Sequence, residues 1–225
     1  MGTHVLINHL FPMTIHAFDF DGTLTRRDTL LEFIRYVKGN KEFLIGFLKH
    51  LHLLIMMKLG IMPNWKTKRI IFQYFFGGMT LEKFNEYCEK FAKEKASLLR
   101  KKGMVAVNKA VMDGDQVVII SASIENWVTP FFTHPQPLPK GGESGAPTPN
   151  TQLPPPIKII GTKIQVVDGK LTGRFLTKNC YGEEKVRRLL EQYPDRKEYK
   201  LVAYGDSRGD HALLDFADEG HYREF

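Results

Sequence analysis

Two carboxylates stand two residues apart in the segment His16-Ala-Phe-Asp-Phe-Asp-Gly-Thr-Leu-Thr25, where an apolar run turns into a glycine-containing loop. Packing alone would favour Val or Ile at such positions, so Asp19 and Asp21 raise the question of chemistry. Three further runs carry reactive or charged residues: Ser121-Ala122-Ser123 after "QVVII", Lys185 within "GEEKVRRL", and Asp206 and Asp210 within "GDSRGD". Each stands at the end of a predicted strand or the start of a predicted helix. Sites in open α/β sheets form in the crevice beyond the carboxyl ends of the strands, so runs scattered along the chain can converge. Each also has a plainer role. Asp19, Asp21 and Asp206 suit turns, Ser121 suits a helix N-cap, and Lys185 could join Arg187 and Arg188 on a basic helix face. A lysine in the first turn of a helix nevertheless opposes the helix dipole, which favours a functional reading of Lys185.

Convergence would have an electrostatic consequence. Asp19, Asp21, Asp206 and Asp210 bring four negative charges and Lys185 returns one positive charge. Two like charges ~4 Å apart repel by about 4 kcal/mol at an effective dielectric of 20. A cation is the natural remedy. Hard oxygen ligands with no His or Cys among them select Mg²⁺, and Mg²⁺ takes phosphate as a further ligand.

The elements that must position these residues can be read from periodicity. Residues 14–20 form a short buried strand ending at the carboxylates. From Asp28 the pattern is helical. Thr29 and Glu32 suggest a capping box, Gly39 a helix stop, and Thr80 the N-cap of a later helix. Helical spacing continues to residue 102, so roughly 75 helical residues separate the first strand from the second, "QVVIISAS" at 116–123. A crossover helix needs far fewer, so these residues read as an inserted helical domain. Later come a hairpin with its turn at Val167-Asp-Gly-Lys170, the helix "GEEKVRRLLEQY", the strand "LVAYGD" and the short helix "DHALLDFA". Strand–helix alternation predicts an α/β fold with a parallel sheet flanked by helices. The expected division is a discontinuous core at 13–27 and 106–225 and a helical insert at 28–105. Residues 1–12 read as an N-terminal extension. Residues 133–156 hold eight of the twelve prolines and read as an extended surface-loop insertion.

The 225 residues are 43% hydrophobic, enough for a sizeable core. Two cysteines, Cys88 and Cys180, make no disulfide framework and suggest a reducing, cytoplasmic setting. The first twelve residues lack the pattern of a secretory signal. Residues 35–69 hold eight Lys/Arg and one acid, a local charge of +7 that equals the net charge of the whole chain. Such a window attracts anions: phosphorylated metabolites, nucleic acid or an anionic lipid surface. No stacking platform or nucleic-acid motif accompanies it, so nucleic acid is not an expected partner. Residues 43–62, "FLIGFLKHLHLLIMMKLGIM", hold 16 apolar or Gly residues of 20, interrupted by Lys49, His50, His52 and Lys58. They suit packing within the helical insert or peripheral contact with an anionic membrane better than a membrane-spanning helix.

The ordered set "DFDGT", "VVIIS", a helix lysine and "GDSRGD" resembles the four motifs of the haloacid dehalogenase superfamily of phosphotransferases. The resemblance covers the chain apart from 1–12 and 133–156. It implies a Rossmann-like core, and the helical insert resembles the type C1 cap. "DFDGTLTRRDTLLEF", "NCYGEEKVRRL" and "YGDSRGD" are most similar to subfamily IB, the branch related to phosphoserine phosphatase. The resemblance implies that Asp19 is the nucleophile, that Asp21 is the general acid/base, and that Ser121 bonds a phosphoryl oxygen. Lys185, with Lys178 as second choice, neutralises the phosphoryl group and Asp19. Mg²⁺ would be held by the Asp19 carboxylate, the Asp21 backbone carbonyl and Asp206, with Asp210 as support. Gly22 would permit the turn, and Gly22, Thr23, Asp28 and Ala122 would join Ser121 and Lys185 around the substrate.

Phosphoserine phosphatases carry Glu where Asp28 stands and Gly-Gly where Ala122-Ser123 stand. The expected substrate is therefore a small phosphate monoester rather than phosphoserine itself, with no obligate protein partner. If residues 43–62 lie on a membrane, the chain would instead resemble the lipid-phosphate phosphatase phosphatidylglycerophosphatase C. A third expectation, of another class, is a catalytically weak scaffold that engages a partner through the Pro-rich 133–156 segment.

Overall fold

The computed structural model of the chain describes residues 13–133 and 157–225. The expectations for the 1–12 extension and for the Pro-rich segment therefore lie outside the described residues, apart from Thr133.

β1 (Met13–Phe18) is the middle strand of a five-stranded sheet of order β3-β2-β1-β6-β7. Its neighbours are β2 (Gln116–Ile124) and β6 (Tyr199–Gly205); β3 (Lys158–Thr162) and β7 (Glu219–Tyr222) close the edges. Every pairing in this sheet is parallel, with Ala17 beside Val118 on one side and Ala203 on the other. Both faces are covered. Ile15, Ala17, Val118, Ile120, Leu201 and Ala203 belong to one apolar cluster, whereas Phe18, Val117 and Ile119 belong to the other. Alternate residues thus feed two cores, which explains the continuous hydrophobic runs in the sequence. α8 (Glu183–Gln192) and α9 (His211–Phe216) cover the first face, and α5 (Lys101–Met112) packs on β2 on the other.

Between β1 and β2 lie α1 (Thr29–Lys49), α2 (Leu51–Lys58), α3 (Asn64–Phe76) and α4 (Leu81–Glu94). α1 breaks at Gly39, whose φ of +78° and ψ of 166° are not helical. The insert is centred on Phe33, whose ring lies 5.2–5.5 Å from those of Phe76, Phe84, Phe91 and Trp127. Trp127 sits on the core's short α6 (Glu125–Val128), which is followed by α7 (Pro130–Thr133), so this aromatic cluster clamps insert to core. α5 begins at Lys101, and its Gly103 lies against Leu24 and Phe225.

Two local expectations change. The N-cap of α1 is Asp28, whose carboxylate accepts from the Leu31 amide, and not Thr29. Ser121 caps no helix, because β2 continues to Ile124. Thr80 does cap α4, accepting from the Lys83 amide at 3.3 Å. The hairpin forms as β4 (Ile164–Val167) and β5 (Lys170–Phe175), with Asp168 and Gly169 at positive φ. It leaves the main sheet and packs on α3, tied by the Gly78 amide to the Leu171 carbonyl and the Leu81 amide to the Gly169 carbonyl, both 2.8 Å.

Candidate active site

Asp19 leaves β1 in an extended conformation, and its amide donates to the Tyr204 carbonyl of β6 at 2.9 Å. The carboxylate is thereby fixed at the carboxyl edge of the sheet. The chain then turns sharply through Phe20–Leu24. Gly22 takes φ +86°, and a Cβ there would stand 2.3 Å from an Asp206 carboxylate oxygen. Backbone conformation and space both require glycine.

Lys185 lies in the first turn of α8 and is 1% exposed. Its Nζ donates to Asp19 Oδ1 at 2.6 Å and to Asp210 Oδ1 at 2.5 Å. The other oxygen of Asp210 accepts from the amides of Asp206 and Ser207 and from the Ser207 hydroxyl, which fixes the turn after β6. Asp19, Asp206 and Asp210 each present an oxygen within 4.8 Å of the others'. The Thr23 hydroxyl lies 3.3 Å from Asp19 Oδ2 and 3.4 Å from Asp206 Oδ1, within donating distance of either.

The charges do not balance within this group. Burial pushes the Asp19 carboxyl up to about 7, against the pull of Lys185, with Asp210 adding to the rise. Burial and the Asp210 charge also raise Asp206. Asp210 is held below the usual carboxylate range because Lys185 and Ser207 outweigh its burial. Burial would lower Lys185, but Asp19 and Asp210 hold it above its ordinary value. One ammonium thus answers three carboxyl groups, and burial and mutual repulsion disfavour full ionisation of Asp19 and Asp206. An oxygen-only cluster whose ionisation is opposed in this way fits a hard divalent cation.

Asp21 is arranged differently. One of its oxygens accepts from the Thr29 amide at 2.7 Å and the Thr29 hydroxyl at 2.6 Å; the other accepts from Ser123 Oγ. Trp127 Nε1 donates to Thr29 Oγ1 at 3.2 Å, which holds that hydroxyl in turn. The Asp21 carboxylate is therefore outside the acidic cluster. Ser121 Oγ accepts from the Ser123 amide at 3.1 Å.

These groups line the floor of a chamber of about 540 Å³. Asp19, Asp21, Asp28, Ser121, Ala122, Lys185, Asp206 and Asp210 all face it. Gly22 and Thr23 do not; they sit behind the wall and shape it. Lys178 is exposed and lines a neighbouring groove, whereas Lys185 faces the chamber.

Several wall residues escaped the sequence reading. Lys68 of α3 reaches down to donate to the Ala122 carbonyl at 2.5 Å; burial lowers its pKa despite the nearby Asp21 and Asp28 charges. The Thr67 hydroxyl is buried without a partner among the described residues. The rest of the insert wall is made by Leu30, Leu31, Phe47, Leu54, Met57 and Ile71, with the polar Asn64 among them. The basic 35–69 window was the only signal for Lys68, and it did not single that residue out. Ser123 stood inside a motif already marked, but its partnership with Asp21 depends on the register of β2.

Comparison with known proteins adds three findings. The family model for haloacid dehalogenase-like hydrolases matches residues 17–136 and 149–215. Protein CicA of Caulobacter vibrioides is 32% identical over 212 residues, covering 93% of this chain and 85% of that protein. Among solved structures, a protein of unknown function from Bordetella pertussis superposes with a TM-score of 0.71 at 16% identity, covering 91% of this chain and 87% of its own. A phosphoserine phosphatase from T. onnurineus superposes at 0.55 with 17% identity, covering 97% and 86%. At these identities the structural likeness concerns the fold: a parallel core with a helical insert.

Proposed function

The chain belongs to the haloacid dehalogenase-like hydrolase family, and from that premise we propose that it is a Mg²⁺-dependent phosphatase acting on a phosphate monoester through an aspartyl-phosphate. The observation that carries this reading is Lys185 bridging Asp19 and Asp210, with Asp206 beside them and Asp21 held separately. In this reading residues 13–27 and the segment after the cap form the catalytic core, and the helical insert is the cap that selects the leaving group.

Asp19 is the nucleophile. One of its carboxylate oxygens bonds to phosphorus as the bond from phosphorus to the ester oxygen breaks. Asp21 delivers a proton to the departing alkoxide, then takes one from the water that attacks phosphorus and releases Asp19. Thr29 and Ser123 hold the Asp21 carboxylate in place for both transfers. Ser121 donates to a phosphoryl oxygen, and Lys185 offsets the charge that gathers between Asp19 and the phosphoryl group. A magnesium ion held by Asp19, Asp206 and the Asp21 carbonyl, with Asp210 in support, would neutralise the uncompensated carboxylates and polarise the phosphoryl oxygens.

The cap wall favours a second, narrower reading. Six aliphatic or aromatic side chains line the chamber beside Asp28, Asn64, Thr67 and Lys68, a mixture that suits an ester with both an apolar and a polar part, such as a lipid phosphate. The primary test is hydrolysis of p-nitrophenyl phosphate with Mg²⁺ by the natural chain and by Asp19→Asn. A loss of at least about a thousandfold is expected for the variant; equal rates would overturn the phosphatase reading. A panel containing phosphoserine, other phosphorylated metabolites and lipid phosphates then separates the two substrate classes.

A further inference from the structure

The second half of α1 and all of α2 leave a row of aliphatic side chains in solvent. Leu44, Leu48, Leu51, Ile55, Leu59 and Ile61 are 48–68% exposed, and no residue of α2 is buried. Leu51, Ile55 and Leu59 recur at every fourth position and so form one stripe along α2. Leu54 and Met57, on the adjoining face of the same helix, line the active-site chamber. The helix is apolar on both sides, toward the chamber and toward solvent. Soluble proteins rarely leave so many large aliphatic side chains contiguous and bare without an occupant.

The charge around the row identifies that occupant. Lys41 lies four residues before Ile45 and seven before Leu48, and Lys58 follows Ile55 by three, so both stand at helical spacing with the row. Neither has an ion-pair partner among the described residues, and Lys49 and Lys66 likewise make none. Trp65, 41% exposed at the start of α3, has Lys66 and Arg69 over its ring at 5.6 and 5.5 Å. A bare aliphatic stripe bordered by lysines matches the interface of an anionic bilayer. A second copy fits poorly, because a two-fold contact would press the same lysine-rimmed face against itself. Among the described residues no helix is long and apolar enough to cross a membrane, so the contact is with the surface.

We infer that the α1–α2 face of the cap docks on an anionic lipid surface. There Leu51, Ile55 and Leu59 enter the acyl boundary, Lys41 and Lys58 meet the headgroups, and the chamber opens toward the bilayer through Leu54 and Met57. The inference deepens the amphiphilic-substrate reading, but it rests on the exposed face and is measured by binding, so it stands or fails apart from catalysis.

The test is co-sedimentation of the full chain with vesicles of phosphatidylglycerol and phosphatidylcholine, and with phosphatidylcholine alone, at low and high salt. Binding to the anionic vesicles, weakened by salt, is expected. The Lys41→Gln/Lys58→Gln pair should lower the partition coefficient about fivefold per lysine. The Leu51→Gln/Ile55→Gln/Leu59→Gln variant should lower it at least about tenfold, with p-nitrophenyl phosphate turnover unchanged as proof of folding. No sedimentation with anionic vesicles at low salt overturns the inference. So does binding that the triple variant leaves intact, or a dimer in solution that the triple variant dissociates while vesicles are ignored.

Discussion

Lys185 should be the electrostatic keystone of this fold as well as of its site, and Lys185→Met measures this. Nζ lies 2.6 Å from Asp19 and 2.5 Å from Asp210, with the lysine 1% exposed. At an effective dielectric of 20 each contact is worth about 6 kcal/mol of Coulomb attraction, most of it offset by the desolvation of three charged groups. Removing one partner of a buried pair typically costs about 3–5 kcal/mol, because the remaining charge is stranded. Lys185→Met strands two carboxylates beside a third. The expected loss is therefore at the upper end of that range, about 5 kcal/mol, in urea melts at pH 8 with EDTA present. The same substitution made in an Asp19→Asn background strands only Asp210 and should cost less by at least about 1 kcal/mol. Residues that do not interact add to within about 0.5 kcal/mol. A double-mutant cycle closing within that limit would refute the reasoning, because it would mean that Asp19 and Lys185 do not share charge in the folded protein.

Two further outcomes concern the same carboxylates. Burial raises the folded-state pKa of Asp19 from 3.8 to about 7, so the folded chain holds this proton more tightly than the unfolded chain. Asp19's contribution to the stability of the metal-free protein is thus full below pH 4 and lost as pH rises through about 7. Mg²⁺ competes with that proton, so thermal melts should show a larger Mg²⁺-induced gain in Tm at pH 8 than at pH 6; an equal gain at both would contradict Asp19 as a ligand. Ser123→Ala removes the hydroxyl that donates to Asp21 and should lower kcat about tenfold with little change in KM, as steady-state kinetics will show.

Much of the site was legible because its residue types break local rules. Carboxylates where a buried strand should continue, and a lysine in a first helical turn, each had a plainer reading as turn or surface residues, but strand-end topology supplied a reason for their meeting. Asp19, Lys185, Asp206 and Asp210 could be brought together on that basis alone. The fold followed from long-period patterns: a buried strand, a helical stretch too long for a crossover, and strands alternating with helices. Other parts required three dimensions. Thr29 looked like a helix cap, but the turn at Gly22 places it under Asp21, and Asp28 takes the cap. The hairpin was readable from Asp168-Gly169, yet its docking on α3 was not, because hydrogen bonds between Gly78 or Leu81 and its backbone leave no side-chain signature. β7 is a four-residue edge strand, Glu219–Tyr222, with no alternation to announce it.

The arrangement also explains why so costly a cluster can persist within a stable domain. Asp19 follows the central strand of a sheet buried on both faces, and its amide is tied to β6. Its carboxylate therefore cannot retreat from Asp206 and Asp210 without unpairing the middle of the core. The repulsion is held by packing that the rest of the sheet supplies, and Lys185 relieves only part of it. The remainder is what makes the cluster compatible with a divalent cation. Asp21 escapes the cluster because Thr29 and Ser123 turn its carboxylate away, so it meets hydroxyls and an amide where Asp19 meets Lys185. Two carboxylates two residues apart thus serve different ends because a single glycine, Gly22, lets the chain reverse between one set of partners and the other.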